Sequence, residues 1–474
     1  ARKLGYRPIV INYNPETVST DWDVSEDLLF DEISVETVKE AYRKLRPLGV
    51  VAFLGGQLSN NIAGRLEEEG VPLIGTPGRS VDVAEDRARI HELLEGEVLQ
   101  PPWTEASSLR DAIHFADSVG YPVIVRPSYV LSGTSIRVAW SREDLVEAYN
   151  SASRSSRGSV VLSKLIDGVE ADLDAVGDGT RWVGAVIEHI EPPGVHSGDS
   201  TMVLPHYSMP RSSIEAMARA ASIINSRLGV KGPFNIQFIT TSSGVYLIEV
   251  NLRASRSMPF TSKVTGYNLM RAAAQASLLG GISDGVEGLL SPSIWGVKSP
   301  QFSWHRIKGA YPGLGPEMRS TGEVASLGRS MWEALLKSWL SVQGNRIPGP
   351  GSGVLVYTPT GHGARELGEA ARILEDLGYR VYTMEGMEAG HGTPLDPGEA
   401  VGMIRSGGIS LVATTGYAPA RDYRIRRTSV DMGVSIILNH RLALMLSRAM
   451  ARVSLEGIKP IPLGAGVRVE EAWR

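Results

Sequence analysis

The sequence predicts an α/β protein of several units, and three observations carry that prediction. Short apolar runs (Pro8 to Asn12, Val50 to Leu54, Val71 to Gly75) alternate with helix-like segments (Val35 to Leu45, Asn60 to Glu69), the pattern of a parallel, doubly wound sheet. The middle of the chain holds FNIQFITTSSGVYLIEVNLRASRSMPF, two apolar-rich runs about Ser242-Ser243-Gly244, which reads as a β-hairpin. After the Pro/Gly-rich QGNRIPGPGSG a second α/β alternation starts with GVLVYT.

Composition narrows the function classes. A length of 474 residues leaves room for about three domains. Lys+Arg 48 against Asp+Glu 52 is near balance, so bulk charge points to neither nucleic acid nor an anionic membrane. With no cysteine, disulfides, thiolate metal sites and cysteine nucleophiles are excluded. No apolar run approaches a membrane span and no charged-then-apolar leader opens the chain, so a cytoplasmic enzyme is expected. A start in mid-pattern, at Ala1 and without Met, leads us to expect a fragment or a processed chain.

Taken in order, Gly5 suits the position past a helix C-terminus and Pro8 to Asn12 a buried strand. NPETVSTD, GGQ and GTP fall at the carboxyl ends of the three expected strands, where ligands gather in such sheets, although each is also ordinary turn chemistry. Val81 to Leu99 reads as one helix, with Glu85 and Arg89 at the i, i+4 spacing of a surface ion pair. Tyr121 to Val125 is a buried strand running into RPSYVLSGTSIRV, whose small residues let backbone N–H groups approach phosphate oxygens. Val160 to Ile166 and VEADLDAV are further strands. His196 lies in a Gly/Ser-rich loop where an imidazole could donate to a phosphoryl oxygen.

If the hairpin is symmetric about Ser243, Gln237 faces Glu249 and Asn235 faces Asn251. Alternation then puts Asn235, Gln237, Glu249, Asn251 and Arg253 on one face, and Ile236, Phe238, Ile248 and Val250 on the other. Hard cations such as Mg²⁺ take one or two protein oxygens and complete their shell with water and substrate phosphates. Glu249, Gln237 and Asn251 could supply those oxygens, with Arg253 set against a transferring phosphoryl group. A solvated strand face is the competing reading. Beyond the hairpin, Tyr267 to Leu279 and Trp332 to Val342 read as helices. The last unit reads GVLVYT, helix Ala364 to Leu377, YRVYTM, helix Pro397 to Ser406, SLVATT, and IRRTSVD leading into helix Arg441 to Ala449.

Several of these stretches resemble carbamoyl-phosphate synthase. N-I-Q-F followed by Y-L-I-E-V-N-L-R-A-S-R is similar to the family's ATP-grasp hairpin, with Leu252 in place of its proline. NPETVSTD with GGQ resembles its pre-ATP-grasp domain, but the family's opening strand and glycine-rich loop are missing, which implies an exposed sheet edge. AEDRAR, RPSYVLSG (Ser132 in place of a glycine), EHIEPPGVHSGDS and LGPEMRSTGEV match further family segments, and the C-terminal order with I-R-R-T resembles its methylglyoxal-synthase-like regulatory domain. The resemblance covers essentially the whole chain. It implies the C-terminal half of the large subunit, with a truncated pre-ATP-grasp parallel sheet (1–79), an ATP-grasp domain with a closing helical segment (80–345), a linker (346–352) and a Rossmann-like regulatory domain (353–474).

The implied activity is phosphorylation of carbamate by MgATP to carbamoyl phosphate, for pyrimidine and arginine biosynthesis. The implied cofactors are ATP and Mg²⁺ or Mn²⁺, two ions per ATP site, held by Gln237, Glu249 and Asn251. Arg87, Arg126, Lys164, Ile166, Glu170, Gly194, Val195, His196, Ser197, Gln237 and Glu249 are the implied ATP ligands, with Arg253, His196 and Arg126 acting on the transferring group. The implied partners are an N-terminal synthetase half and a glutaminase small subunit. For regulation, Glu191 and Asp199 retain the amine activator's pattern, whereas Ser299 stands for its acidic residue and Ile436-Ile437 for its Thr pair. The phosphate turn T-x-G-T of pyrimidine-nucleotide control has become Met384-Glu385-Gly386-Met387, while Thr414, Thr415, Arg426 and Arg427 persist. Two alternatives stay open: another ATP-grasp ligase joining a carboxylate to an amine, and a weakened half serving as a nucleotide-binding or docking module.

Overall fold

A computed structural model describes residues 1–127, 136–155, 160–283 and 285–461. The expected phosphate lid, with Ser132, and the tail after 461 lie outside the described residues. The described residues build four sheets.

At the start, Ile9–Ile11 pairs in parallel with Asp27–Leu29, a strand hidden from sequence reading inside the acidic stretch DWDVSEDLLFDE. The helix Val35–Leu45 forms as expected, with Ser34 accepting from the Thr37 amide; such a cap is worth about 1 kcal/mol. The runs at 50–54 and 71–75 are not strands but meet in one parallel bridge, Val50 with Leu73. The reason is where the backbone bonds go: the Phe53 carbonyl accepts from Ala254 N at 2.9 Å, tying this run to the exit of the hairpin. The expected helix 60–69 is two pieces, Gly56–Asn60 and Ala63–Glu68. The expected helix 81–99 is also two, Gly78–Glu85 and Arg87–Leu94, because Asp86 adopts an extended conformation and accepts from Ala88 N and Arg89 N. That break takes Glu85 and Arg89 out of one helical register, and Glu85 accepts from Asn60 Nδ2 at 3.2 Å instead.

A four-stranded antiparallel sheet follows, in the order Trp103–Ala106, Val160–Lys164, Val123–Pro127, Arg137–Ala139. Helices Leu109–Val119 and Arg142–Ser155 close its core with Ala112, Ala116, Leu145, Ala148 and Ala152. The largest sheet is antiparallel along its path: Gly244–Asn251, Gly232–Thr241, Val169–Gly177, Trp182–His189, Met202–Leu204, Trp295–Gln301, Gly322–Gly328. Gly288–Leu289 adds in parallel beside Trp182–His189. Phe234, Ile236, Phe238 and Leu173 are fully buried on its apolar face, in one core with Ile214, Met217, Ala221 and Ile224 of the helix Arg211–Arg227. Each such side chain contributes roughly 1.5–3 kcal/mol by leaving water.

The last sheet is parallel, in the order Thr393–Leu395, Arg380–Met384, Gly353–Val356, Ile409–Ala413, Ser435–Ile437. Its helices are Ala364–Asp376, Pro397–Arg405, Pro419–Asp431 and His440–Arg452. IRRTSVD therefore closes the helix Pro419–Asp431, and a strand separates it from the final helix. Val354, Val356 and Leu446 share one core with Val203, Val297 and Trp339, so this unit packs on the largest sheet through the helix Met331–Ser341.

Candidate nucleotide and metal site

The hairpin register is as expected at the polar pairs, Asn235 with Asn251 and Gln237 with Glu249. It is not symmetric about Ser243. The turn leaves Thr241 opposite Gly244, and the register shift beside Gln237 and Phe238 makes Ile248 an extra residue that restores the pairing. On the far side Gln237 pairs with Asp172 and Asn235 with Asp174. Two polar rows thus cross three strands, Glu249–Gln237–Asp172 and Asn251–Asn235–Asp174. The alternating acids Glu170, Asp172 and Asp174 of VEADLDAV were the signal for this layer, and sequence reasoning took only Glu170 from it.

In the lower row Asn235 and Asp174 are committed to the protein. Asn235 Nδ2 donates to Asp174 Oδ1 at 2.9 Å and Asp172 Oδ2 at 3.2 Å. Asp174 also accepts from Ser255 Oγ at 2.6 Å and Thr261 Oγ1 at 2.8 Å. The upper row faces an opening. Glu249 is exposed, and Gln237 Nε2 donates to Ser197 Oγ at 3.0 Å, a bond that does not use its carbonyl oxygen. Asn251 Oδ1 accepts from Arg253 Nη2 at 2.9 Å. Arg253 Nε in turn donates to Gln57 Oε1 at 3.0 Å, so the GGQ turn of the first unit reaches the site through Gln57.

Glu249 is the electrostatic centre of this opening. Burial pulls the Arg87 guanidinium below its ordinary value, and the charge of Glu249 opposes that. Arg126, on the four-stranded sheet, is pulled down to about 9 by burial, with Arg87 adding to the effect and Glu249 resisting it; it remains charged at neutral pH. Among the described residues its buried Nε has no hydrogen-bond partner, and no carboxylate lies within ion-pairing distance of Arg87 or Arg126. Two neighbouring cations held without an anion are a fit for phosphate oxygens. Glu85, missed as a site residue, is pushed up by burial, eased by Gln57 and raised further by Glu249.

His196 stands at the start of the short turn Ser197–Asp199, and its Nδ1 accepts from Gly198 N at 3.0 Å. Burial holds its pKa below the ordinary value against the pull of Asp199, Glu249 and Asp172. Both facts favour the neutral ring with its proton on Nε2, the atom free to donate outward. Gly194 turns the loop at φ 101°, and Val195 is half-buried beside it. Glu170 opens its strand buried, and burial pushes it up to about 7, with His189 opposing and Asp172 and Glu249 reinforcing. Ile166 is half-exposed in the short link before Glu170. Lys164 is the exception: its Nζ donates to the carbonyls of Tyr121 at 2.9 Å and Gly120 at 3.0 Å, so its charge is used within the four-stranded sheet.

The donor set suits a divalent cation that brings ligands with it. Among the described residues no cluster of three or more His, Asp or Glu could hold a metal unaided. One carboxylate with an amide oxygen beside it is the kind of share a protein contributes when phosphates complete the shell.

Residues 86–280 match the family model of the carbamoyl-phosphate synthase L chain ATP-binding domain, and residues 1–83 that of the carbamoyl phosphate synthase preATP-grasp domain. The carbamoyl phosphate synthase large chain of Hyperthermus butylicus is 59% identical over 472 residues, 98% of this chain and 44% of that one. The chain belongs to the carbamoyl-phosphate synthase large-chain family. The large chain of Pyrococcus furiosus is 49% identical over 455 residues, 95% of this chain and 42% of that one. The chain thus spans about half the length of the curated relatives it matches.

Among solved structures, the biotin carboxylase domain of Hydrogenobacter thermophilus 2-oxoglutarate carboxylase, in complex with MgADP, ADP and bicarbonate, is 18% identical. It covers 73% of this chain and 86% of that one with a TM-score of 0.58. N5-carboxyaminoimidazole ribonucleotide synthetase of Thermus thermophilus is 18% identical, covering 73% and 94%, with a TM-score of 0.56. At these identities the likeness is of fold, and the fold is that of ATP-grasp proteins.

Of the residues the family resemblance points to for regulation, Glu191, Asp199, Ser299 and Ile436 line one cavity of about 300 Å³ with Thr201 and Trp304. Glu191 is already satisfied by Thr201 N at 2.6 Å and Thr201 Oγ1 at 3.0 Å, and burial pushes it up to about 7. Thr414 is buried in the parallel sheet's loop region, and Thr415 Oγ1 lies 3.0 Å from His440 Nδ1. Arg426 and Arg427 are not open to a free anion. Arg426 pairs with Asp422 at 2.6 Å and donates to the carbonyls of Pro312, Thr415 and Gly416; Arg427 pairs with Asp431 at 2.6 Å and donates to those of Trp304, Ile307 and Ala310.

Proposed function

We propose that this chain phosphorylates carbamate with MgATP, as the C-terminal synthetase half of a carbamoyl-phosphate synthase. The observation that supports it is the row Glu249–Gln237, with Asn251 in the adjoining row, lying within electrostatic reach of Arg87, Arg126 and His196. Phosphoryl transfer asks a protein for positioning and charge neutralisation more than for covalent chemistry. Arg87, at the start of its helix, and Arg126, on the four-stranded sheet, would hold phosphate oxygens, and burial strengthens each contact by excluding water. Glu249 would hold the divalent cations, with the carbonyl oxygens of Gln237 and Asn251 beside it, and the cations would offset charge on the terminal phosphates. Nε2–H of His196 donates to the transferring group or to carbamate. Arg253, steadied by Asn251 and Gln57, stands at the hairpin exit as a further cation.

The experiment is the reverse partial reaction: carbamoyl phosphate and MgADP are supplied to the isolated chain and ATP is measured. ATP formation dependent on both substrates is the expected result. Binding of MgADP without any turnover would favour a nucleotide-binding half that has lost its chemistry.

A further inference from the structure

Between Trp295–Gln301 and Gly322–Gly328 the chain makes a connection, 302–321, with neither helix nor strand. Connections of this length without secondary structure are uncommon in compact units and are held by something outside themselves. Here one side is held by the helix Pro419–Asp431 of the parallel unit. Arg427 Nη1 gathers the carbonyls of Trp304 at 3.1 Å, Ala310 at 3.2 Å and Ile307 at 3.3 Å. Tyr423 Oη donates to Gly309 O at 3.1 Å, and Tyr311 Oη donates to Asp422 Oδ1 at 2.9 Å while accepting from Ala418 N at 3.1 Å. Arg426 lies over the Tyr311 ring, 5.0 Å from its centroid.

The other side of the connection holds the His196 loop. Gly315 O accepts from His196 N at 2.9 Å. Both oxygens of Asp199 accept from Arg319 N, at 2.9 and 3.1 Å, and Asp199 Oδ1 accepts from Ser320 N at 2.8 Å. Ser320 Oγ donates to Gly198 O at 3.2 Å. The His196 loop has no regular structure of its own beyond the turn Ser197–Asp199, so these bonds set its shape.

We propose that Arg427 is a positioning residue for the nucleotide site: by drawing three carbonyls onto one guanidinium it fixes the 302–321 connection, and through it the backbone that orients His196. Without the cation, three carbonyl dipoles converge with no donor, and the connection must open to solvate them. The carbonyl of Gly315 and the amides of Arg319 and Ser320 then leave the positions that hold the loop. This rests on the reading that His196 faces the nucleotide.

The test uses three variants of the 474-residue chain. Arg427→Met keeps the stem and removes the donors, Tyr311→Phe removes a single hydroxyl from the same anchor, and His196→Gln reports whether the loop touches nucleotide at all. MgADP affinity by calorimetry is read beside the thermal midpoint and the imidazole ¹⁵N shifts of His196. Arg427→Met is expected to weaken MgADP roughly 3- to 30-fold and to move the His196 shifts away from the Nε2–H tautomer, with Tyr311→Phe smaller in the same sense. A purely structural role would lower the midpoint and leave affinity and shifts at parental values, which overturns the proposal. If Arg427→Met does not fold, parental affinity in Tyr311→Phe overturns it alone. If His196→Gln binds MgADP like the parent, the site reading has failed; if it weakens binding while the other two do not, only the positioning role has.

Discussion

Glu249 owes its place to the hairpin and its influence to the groups around it. Its side chain is exposed, so the isosteric Glu249→Gln removes a charge without opening a cavity. The variant is expected to lose roughly 10²–10³ in the rate of ATP formation from carbamoyl phosphate and MgADP, with the thermal midpoint unchanged. Near-parental activity would take the metal-holding role away from Glu249. The contrast with Asn235 is instructive. Both belong to the polar face of the hairpin, yet Asn235 is buried and its amide is spent on Asp172 and Asp174. Residue type and alternation group the two; only burial separates a ligand from a strut.

At the scale of elements, the turn Met384-Glu385-Gly386-Met387 shows a loss that the fold explains. Both thioethers are buried, Gly386 N donates to Glu388 Oε1 at 2.8 Å, and Arg421 Nη2 donates to Gly386 O at 3.0 Å. A phosphate placed here would meet no hydroxyl donor, an amide already bonded, and the carboxylates of Glu385 and Glu388. Losing hydrogen bonds to a charged group costs roughly 1.5–3 kcal/mol each. Uridine monophosphate at millimolar levels is therefore expected to change neither MgATP affinity nor the partial-reaction rate. Calorimetry showing tight binding together with a shifted MgATP dependence would refute this. The parallel unit is also packed onto the rest of the chain: its strands share a core with the largest sheet, and its helix Pro419–Asp431 grips the 302–321 connection.

For the whole molecule, the chain spans about half the length of its relatives, and the proposed substrate, carbamate, is unstable in water. A half that consumes such a substrate works best beside the half that makes it. Glutamine-dependent carbamoyl phosphate synthesis is expected only when an N-terminal synthetase half and a glutaminase subunit are added, assayed by product formation with each component omitted in turn. Synthesis from glutamine by this chain alone would contradict the arrangement.

The sequence by itself determined the α/β class and the polar pairs of the hairpin, because period-2 alternation and local motifs survive any packing. It could not decide what depends on groups far apart in the chain. The runs at 50–54 and 71–75 are strand-like in composition, but they meet only at a single bridge, and the Phe53 carbonyl is taken by a hairpin exit about 200 residues away. Asp86 broke a periodic helix by capping its second half. The extra residue Ile248, which keeps Glu249 on the polar face, leaves no mark on composition. Lys164 was grouped with the ATP ligands and Arg426 and Arg427 with an anion site by resemblance, and tertiary structure bonds Lys164 to carbonyls and the two arginines to Asp422, Asp431 and carbonyls. A cation goes to the oxygens that burial brings within reach, and which oxygens those are is settled only when the chain has folded.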